Sequence, residues 1–245
     1  MGASTGGMQE RGIHGDIERL ARDLHGAPGQ MWTTPDTLLA DVTQAAVDIL
    51  PGVDHSAVTL VVKSTHKSHR PSLESTAATS AVAVAVDQIQ HTLGEGPCVA
   101  AAWRQRSVRI DDLADESRWP RFALAIIEQT PVRAAMAIQL FTNGEELGAL
   151  NLYSETPNSF SDDLEDLAHQ LSTHAAIALS GSRRGQQFRS ALASRDTIGQ
   201  AKGIIMERFG IDAVAAFQLL RRLSQESNTA LAVIAEQLVS GVHNP

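Results

Sequence analysis

Residues 189–238 limit the fold most narrowly, because their side chains repeat at the three- and four-residue spacing of short amphipathic helices. Three short helices can bury their inward faces only against one another, which predicts a small three-helix bundle. The inward positions are Leu192, Ile198, Ile205 and Phe209 in the first helix, Ala213, Ala216, Phe217, Leu220, Leu223 and Ser224 in the second, and Leu231, Ile234, Ala235 and Leu238 in the third.

Local signals mark the ends of these helices. Gly210 is placed to end the first helix, because glycine takes up the left-handed conformation that commonly follows a helix C-terminus. Asn228 or Thr229 can cap the third helix. We expect Phe209 and Phe217 to lie in the core of the bundle, which leaves no aromatic side chain for stacking on bases.

This region resembles the ANTAR domain, a three-helix RNA-binding module of bacterial antitermination regulators. The resemblance runs without a gap through residues 189–240. It implies that this end of the chain binds RNA stem-loops in nascent transcripts as a dimer. The matching residues are Arg195, IGQAKGIIM at residues 198–206, Ala216-Phe217, Leu220-Arg221 and Ser224-Gln225.

Five polar residues are the candidates for RNA contact: Arg195, Lys202, Arg221, Arg222 and Gln225. Arg195 and Lys202 are two helical turns apart, so their side chains project from the same side of the first helix. RNA loops are recognised through phosphate contacts and through hydrogen bonds to unpaired bases, and Arg and Gln can supply both.

The sequence departs from the family pattern at the start of the third helix. Ala230 and Ala232 stand where basic residues are expected. The absence of basic side chains removes positive charge from the start of this helix. Two alternatives follow: weakened RNA binding, or a smaller role for the third helix in binding.

Charge is divided unevenly along the chain. Residues 183–245 contain eight Lys and Arg against five Asp and Glu, whereas the preceding residues contain 12 against 23. A basic end on an acidic body fits a polyanion partner. The single cysteine allows no internal disulfide, and no apolar run approaches the roughly 18 residues of a membrane span. We therefore expect a cytoplasmic protein without membrane association.

The preceding residues predict an α+β domain, in which an antiparallel sheet is flanked by helices. Asn143-Gly144 between two alternating runs is a strong hairpin signal, and Ser161 is placed to cap a long helix with an acidic first turn. Residues 1 to about 14 are expected to be disordered and residues 13–24 to form a short helix. The expected strands are residues 56–62, 72–79, 107–110, 134–141 and 146–153, and the expected helices include residues 36–50, 81–93 and 99–103, one ending near Gln129, and one beginning after Ser161.

This order resembles a GAF domain of the form found beside ANTAR domains, and the two halves together look like an actinobacterial GAF–ANTAR regulator. The resemblance implies a sensory domain with an unknown small-molecule ligand. The predicted organisation is an N-terminal extension over residues 1–35, partly disordered, a GAF domain over 36–180, a helical linker with a hinge over 181–188, and an ANTAR domain over 189–245. The matching segments are LGEGPC at residues 93–98, Asp112-Leu113, RWPRF at 118–122, LGALNLYS at 147–154 and FSDDLEDLA from Phe160.

The reactive side chains in this sequence lack the neighbouring groups that catalysis needs. Cys98 is more readily a buried packing residue than a sensor thiol. His66 and His69 have no third metal ligand nearby. We expect His91, His169 and His174 on helices near the pocket of the GAF domain, but a haem ligand among them lacks a supporting motif. There is no GxSxG, GK[ST] or HExxH motif. The sequence therefore predicts a non-enzyme without a metal or a cofactor.

The leading hypothesis is a signal-responsive RNA-binding antiterminator that forms a homodimer through helices near residues 167–192. The stripe Leu164, Leu167, Leu171, Ala175 and Ala178 motivates the dimer, because it exceeds what one sheet need cover. One alternative is a GAF-containing regulator that acts through protein or DNA, with weakened RNA binding. Another alternative is a haem or redox sensor.

Overall fold

The structure is a computed structural model that describes residues 6–25, 34–62, 72–103, 106–142 and 145–241. It divides into two compact units, Met1–Ser182 and Arg183–Pro245. Within the described residues, no helix is both long and apolar enough to cross a membrane. The helices are α1 (Gly6–His25), α2 (Pro35–Ile49), α3 (Ala81–Leu93), α4 (Pro97–Trp103), α5 (Pro120–Gln129), α6 (Asp162–Phe209), α7 (Ala213–Ser227) and α8 (Leu231–Gly241).

The first unit is built on an antiparallel sheet whose strand order is β2-β1-β5-β4-β3. The predicted hairpin is confirmed, since Thr142 of β4 pairs with Glu145 of β5; its turn, Asn143-Gly144, lies outside the described residues. The strands are β1 (His55–Val62), β2 (Ser72–Thr76), β3 (Ser107–Ile110), β4 (Ala134–Thr142) and β5 (Glu145–Ser154).

β2 ends earlier than its sequence predicts. Ala77 has a φ of +52°, which no regular strand accommodates. Beyond it, Thr79 leaves the strand and bonds instead to Ser56: its backbone N–H donates to the Ser56 carbonyl over 2.9 Å, and its Oγ1 accepts from the Ser56 N–H over 2.9 Å. The chain therefore turns into α3 after Thr76.

Helices cover both faces of the sheet. Successive strand residues point to opposite faces, so Val58, Met136 and Leu152 belong to one apolar cluster, while Ala57, Ala135 and Tyr153 belong to the other. The first cluster includes buried residues of α1, α2 and α6, and the second includes residues of α3 and α5. This two-sided layering is the predicted α+β fold.

The N-terminal extension is more ordered than its composition suggests. α1 begins at Gly6, so the expectation that residues 1 to about 14 are disordered is wrong for residues 6–14. Ile17 is 2% exposed in the cluster that α2 lines. Once one turn is anchored in this way, extending a helix adds one hydrogen bond per residue fixed, which stabilises the glycine-rich turns before it.

α6 is one unbroken helix of 48 residues. The Ser161 hydroxyl accepts from the Leu164 N–H over 3.2 Å, so the predicted cap is confirmed. The stripe from Leu164 to Ala178 is buried within the first unit, against the sheet. The reason given for a dimer is therefore wrong, because this one domain covers the whole stripe. The predicted linker, residues 181–188, is helical and lies within α6.

The second unit has a smaller core than the pattern suggests. Its fully buried residues are Ala201, Ile205, Ala216, Leu220 and Ala235. Four positions predicted to face inward are exposed instead: Leu192 at 45%, Phe209 at 61%, Phe217 at 41% and Leu223 at 40%. Three short helices enclose only a narrow stripe of each, so residues at the edge of a broad apolar face remain in solvent.

The helix ends in this unit are partly as predicted. Gly210 has a φ of +63° and ends α6, as expected. Asn228 does not cap α8; it has a φ of +50° and ends α7, where its N–H donates to the Ser224 and Gln225 carbonyls. Thr229 does not cap α8 either, because the first carbonyl to accept from that helix belongs to Ala230.

Leu220 and Leu223 provide a matched test of this core. We expect Leu220→Ala to lower the free energy of unfolding by roughly 2 to 5 kcal/mol, because a fully buried leucine leaves a cavity. Leu223→Ala, which removes the same atoms at a 40% exposed position, is expected to cost about 1 kcal/mol or less. Denaturant titrations of both variants check this prediction, and equal losses would contradict the exposure of Leu223.

Candidate nucleic-acid interface and buried polar layer

The two cations proposed for RNA contact on α6 have no carboxylate partner among the described residues. Arg195 is exposed and Lys202 is half-buried. Their spacing of seven residues places them two turns apart on one side of the helix. Both positive charges therefore remain available to an anionic partner.

α7 carries the other proposed contacts, all of them exposed. Gln218, Arg221 and Gln225 lie at three- and four-residue spacing and share one side of the helix. Arg222 lies about 100° further around the helix axis, so it points away from that side. The structure thus groups Arg221 with Gln225 and separates Arg222 from them.

The proposed contacts on α6 and α7 face the same side of the bundle. A connection of three residues joins the two helices, which makes them antiparallel neighbours, and their buried residues form one cluster. Lys202 directly follows the buried Ala201, and Arg221 directly follows the buried Leu220. One residue is about 100° around a helix axis, so Lys202 and Arg221 each project sideways from the inward-facing residue before them. In two antiparallel helices that face each other, this rotation leads to the same side of the pair. We call this side, with Arg195, Lys202 and Arg221, the basic flank.

Acidic side chains of the same part of α6 lie elsewhere. Asp196 and Glu207 are five residues before and six residues after the buried Ala201. At about 100° per residue, both project to the flank opposite Lys202. The separation of charges around α6 leaves the basic flank positive although the whole chain has a net charge of −8.

The first unit contains a polar layer that is buried between the sheet and the helices α3 and α4. Asp87 of α3 is fully buried and accepts from Tyr153 over 2.5 Å, from Asn151 over 3.2 Å and from Ser75. The Asn151 side chain also donates to the Thr59 hydroxyl over 3.0 Å. Its own Oδ1 is buried without a hydrogen-bond partner among the described residues.

Gln90 of α3 links the LGEGPC segment, which leads into α4, to this polar layer. The Gln90 amide donates to the Tyr153 hydroxyl over 3.1 Å, and its oxygen accepts from the Cys98 N–H over 2.8 Å. Gly96 has a φ of +123°, and a Cβ there would lie 2.6 Å from the Gln90 oxygen. Only glycine therefore lets the turn approach the Gln90 side chain this closely.

Cys98 is buried, as the sequence predicts, and its thiol donates to the Thr59 hydroxyl over 3.1 Å. Burial raises the pKa of the thiol to about 12, and the negative charge of Asp87 acts in the same direction. A thiol with this pKa is almost entirely protonated near neutral pH, whereas the thiolate is the reactive form. This geometry favours a structural role for Cys98.

Burial is also the main cause of the raised pKa values of Asp87 and Tyr153, the two acids at the centre of the layer. Burial raises the pKa of Asp87. This increase is offset only in part by hydrogen bonds from Ser75, Tyr153 and Asn151 and by the charge of His91. The pKa of Tyr153 is raised well above its ordinary value by burial and by the charge of Asp87. Sequence reasoning missed this layer, although Asp87 and Gln90 could have signalled it as polar residues on the inward side of α3.

The structure does not bring the candidate haem ligands together. His91 belongs to α3 on one side of the sheet, whereas His169 and His174 belong to α6 on the other. The expectation that all three lie near one pocket is therefore wrong. Among the described residues, no group of His, Cys, Asp and Glu could hold a metal ion, and His66 and His69 lie outside those residues.

The RWPR segment, residues 118–121, makes its contacts within its own domain. Trp119 packs against the cluster beneath α3 and α5, with the Arg118 guanidinium 4.7 Å from the centre of its ring. Arg118 pairs with Glu116 over 2.6 Å, and Arg121 pairs with Glu95 over 3.3 Å. Since both arginines already have carboxylate partners, this segment is not a basic patch.

Asp87→Asn tests the buried acid, because it keeps the shape of the side chain and removes its ionisation. A carboxyl whose folded pKa is raised binds its proton more tightly in the folded state. Its contribution to stability therefore falls as pH rises from about 3.9, the pKa in an unfolded chain, to the raised folded value, and is constant above it. We expect the free energy of unfolding of the wild type, relative to Asp87→Asn, to fall across that interval.

Denaturant titrations at several pH values provide the measurement. Ser75→Ala is the matched control, because it removes a hydrogen bond to Asp87 but keeps the carboxyl group, and should retain the pH dependence. A stability difference between the wild type and Asp87→Asn that does not change with pH would contradict the raised pKa.

Comparisons with known proteins identify both units. A family model described as the GAF domain matches residues 33–180, and one described as the ANTAR domain matches residues 186–239. No curated protein matches this chain.

Solved structures of GAF domains share the fold of the first unit. The GAF domain of a phosphoenolpyruvate-protein phosphotransferase from Coxiella burnetii superposes with a TM-score of 0.51 at 14% identity, covering 73% of this chain and 98% of that domain. The corresponding domain from Acinetobacter gives a TM-score of 0.50 at 14% identity, covering 69% of this chain and 93% of that domain. At this identity the likeness concerns the fold alone. Because the GAF model spans more than half of the chain and an ANTAR domain follows it, the chain belongs to the GAF domain family and has the architecture of a GAF–ANTAR regulator.

Proposed function

We propose that this regulator binds RNA stem-loops through its ANTAR domain and thereby prevents transcription termination in response to a signal at its GAF domain. The observation that carries the proposal is the basic flank, where Arg195, Lys202 and Arg221 share one side of the bundle. Positive side chains without carboxylate partners neutralise phosphates and release counterions, which favours binding to a polyanion. The functional domains are residues 36–180 and 189–245, joined by residues 181–188.

The buried polar layer supports a sensory role for the GAF domain. It ties α3, α4 and the sheet together through Asp87, Gln90 and Tyr153. The unpartnered oxygen of Asn151 offers an acceptor to a ligand that enters this layer. Because an unmade hydrogen bond costs free energy in a buried site, a ligand donor at this position would gain affinity.

α6 connects the two activities along a single element. Its first turns are buried against the GAF sheet, and its last turns contribute Ala201 and Ile205 to the ANTAR core. A change in the packing of the first part can therefore be transmitted through continuous helix. Signals that alter the GAF domain would act on RNA binding by this route.

Exposed apolar residues support a homodimer. Phe188 and Leu192 are 67% and 45% exposed, and their spacing of four residues places them on one side of α6. A second copy of the same helix would cover this stripe by coiled-coil packing.

A second candidate function remains, because the start of α8 carries no basic side chain. Ala230 is exposed and Ala232 is half-buried, so neither supplies charge to a nucleic acid. A regulator that acts through protein or DNA, with RNA binding weakened, would fit this feature. The double substitution Ala230→Lys with Ala232→Arg distinguishes the two functions, because it restores positive charge at the start of α8.

Lys202→Ala is expected to weaken the binding of the full-length protein to a tandem stem-loop RNA. Each phosphate contact that is lost should also reduce the slope of log affinity against log salt by about 0.7 to 1 per protomer. Fluorescence anisotropy at several salt concentrations measures both quantities. Gln200→Ala is the matched control, because Gln200 is an exposed residue on the opposite flank of α6 and should change neither.

Other outcomes discriminate between the candidates. Should the wild type bind no structured RNA while Ala230→Lys with Ala232→Arg binds well, the second candidate is favoured. If neither protein binds, even with cell extract added as a source of ligand, the RNA-binding function is wrong.

The dimer has a separate test. We expect the wild type to sediment as a dimer and Phe188→Glu to sediment as a monomer, because a charge in an apolar helix pair is costly. Ser190→Glu adds the same charge to an exposed position on the other side of α6 and should leave the dimer intact. Analytical ultracentrifugation with and without RNA checks the prediction, and a monomeric wild type under both conditions would contradict it.

A further inference from the structure

Phe217 is placed where a nucleic-acid partner would meet it. The side chain is 41% exposed, although the sequence pattern assigns it to the core. It directly follows the buried Ala216, just as Lys202 follows Ala201 and Arg221 follows Leu220. By the same helical geometry, Phe217 therefore projects to the basic flank.

The aromatic ring lies among groups that suit a nucleic acid. Phe217 and Arg221 are four residues apart on α7, so they are neighbours on the helix surface. Phe217 also lies one turn of α7 closer than Arg221 to the connection at residues 210–212. Since α6 and α7 are antiparallel, the ring lies on the flank that Lys202 enters from the other helix.

The charge of this flank decides which partner fits. An apolar residue alone would suit a second copy of the chain or another protein equally well. The cations Arg195, Lys202 and Arg221 project to the same flank as the ring, and the carboxylates Asp196 and Glu207 of α6 project to the opposite one. A positive surface with an exposed aromatic ring matches an unpaired nucleotide, whose phosphate is negative and whose base presents a flat π face.

We propose that Phe217 stacks on an unpaired base of the RNA loop while Lys202 and Arg221 hold the flanking phosphates. This inference rests on the proposed function, and it adds a stacking contact to what would otherwise be a purely electrostatic interface. Stacking requires an unstacked base, so it provides a reason for the domain to prefer loops over paired stems. Phe217 is thus a residue for loop recognition, whereas Lys202 and Arg221 contribute affinity for any phosphate backbone.

Substitutions at Phe217 separate aromatic stacking from apolar bulk. We expect Phe217→Leu to weaken binding to a tandem stem-loop RNA by about tenfold or more, which is the usual scale of one lost base stack. The salt slope should stay unchanged, because a stacking contact releases no counterion. Phe217→Trp should retain binding, since a larger π surface remains. Leu223→Ala is the matched control, as an exposed apolar residue of the same helix that is not on the basic flank.

A second readout reports on the base itself. With 2-aminopurine at each loop position in turn, the wild type and Phe217→Trp should quench the fluorescence at one position, and Phe217→Leu should not. Binding to a fully paired duplex of equal length should be equal for all of these proteins. Circular dichroism melting verifies that each variant is folded, and the tryptophan variant keeps the test decisive if Phe217→Leu is destabilised.

The outcomes separate this inference from the proposed function. If Lys202→Ala weakens binding while Phe217→Leu does not, RNA binding stands and the stacking role is overturned. If Phe217→Leu instead alters the sedimentation of the protein without RNA, the residue belongs to a contact between copies and the inference is again overturned. A wild type that binds no stem-loop RNA overturns both proposals.

Discussion

The burial of the two ends of α6 in two separate cores is the constraint on which the rest of this structure depends. Isolated helices are marginal in water, so a helix of 48 residues needs stabilising contacts along its length. Leucines from Leu164 to Leu179 provide them against the GAF sheet, and Ala201 and Ile205 provide them in the ANTAR bundle. The intervening turns contain Gly181 and Gly185, each of which costs roughly 1 kcal/mol relative to alanine. The proposed pairing of Phe188 and Leu192 with a second copy would support these turns.

The two domains are stabilised by different kinds of interaction. The GAF domain has apolar clusters on both faces of its sheet and, beneath α3 and α4, a polar layer in which Asp87, Asn151 and Tyr153 satisfy most of one another's hydrogen bonds. A buried network of this kind specifies one arrangement, because a partner left unmade in low dielectric is costly. The ANTAR bundle has only a narrow apolar core, so much of its helical surface remains free for recognition. This difference fits a sensor that holds one structure and an output domain that presents side chains to a partner.

The sequence predicts the fold well where the signal is local. The hairpin of β4 and β5, the cap at Ser161 and the end of α6 at Gly210 are each predicted from a few adjacent residues, and the structure has all three features. The polar layer could not be assembled in the same way, because Thr59, Asp87 and Tyr153 are far apart in the chain and meet only in the folded sheet. The apolar periodicity also predicts more buried residues in the core of the ANTAR bundle than the structure has. It shows that Phe209 and Phe217 lie beside an apolar face, but only the packing of three short helices decides that the edge of that face stays exposed.

The central claim is that the basic flank of the ANTAR domain acts on RNA to prevent termination. Single-round transcription in vitro tests it most directly, with a template that places tandem stem-loops before an intrinsic terminator. The account predicts that the full-length protein, with cell extract as a source of its signal, increases the fraction of transcripts that pass the terminator. It also predicts no increase with a protein carrying Arg195→Ala and Lys202→Ala together, or with a template whose loops are closed by base pairing. An unchanged fraction with the wild type, or an equal increase with the double variant, would contradict the account.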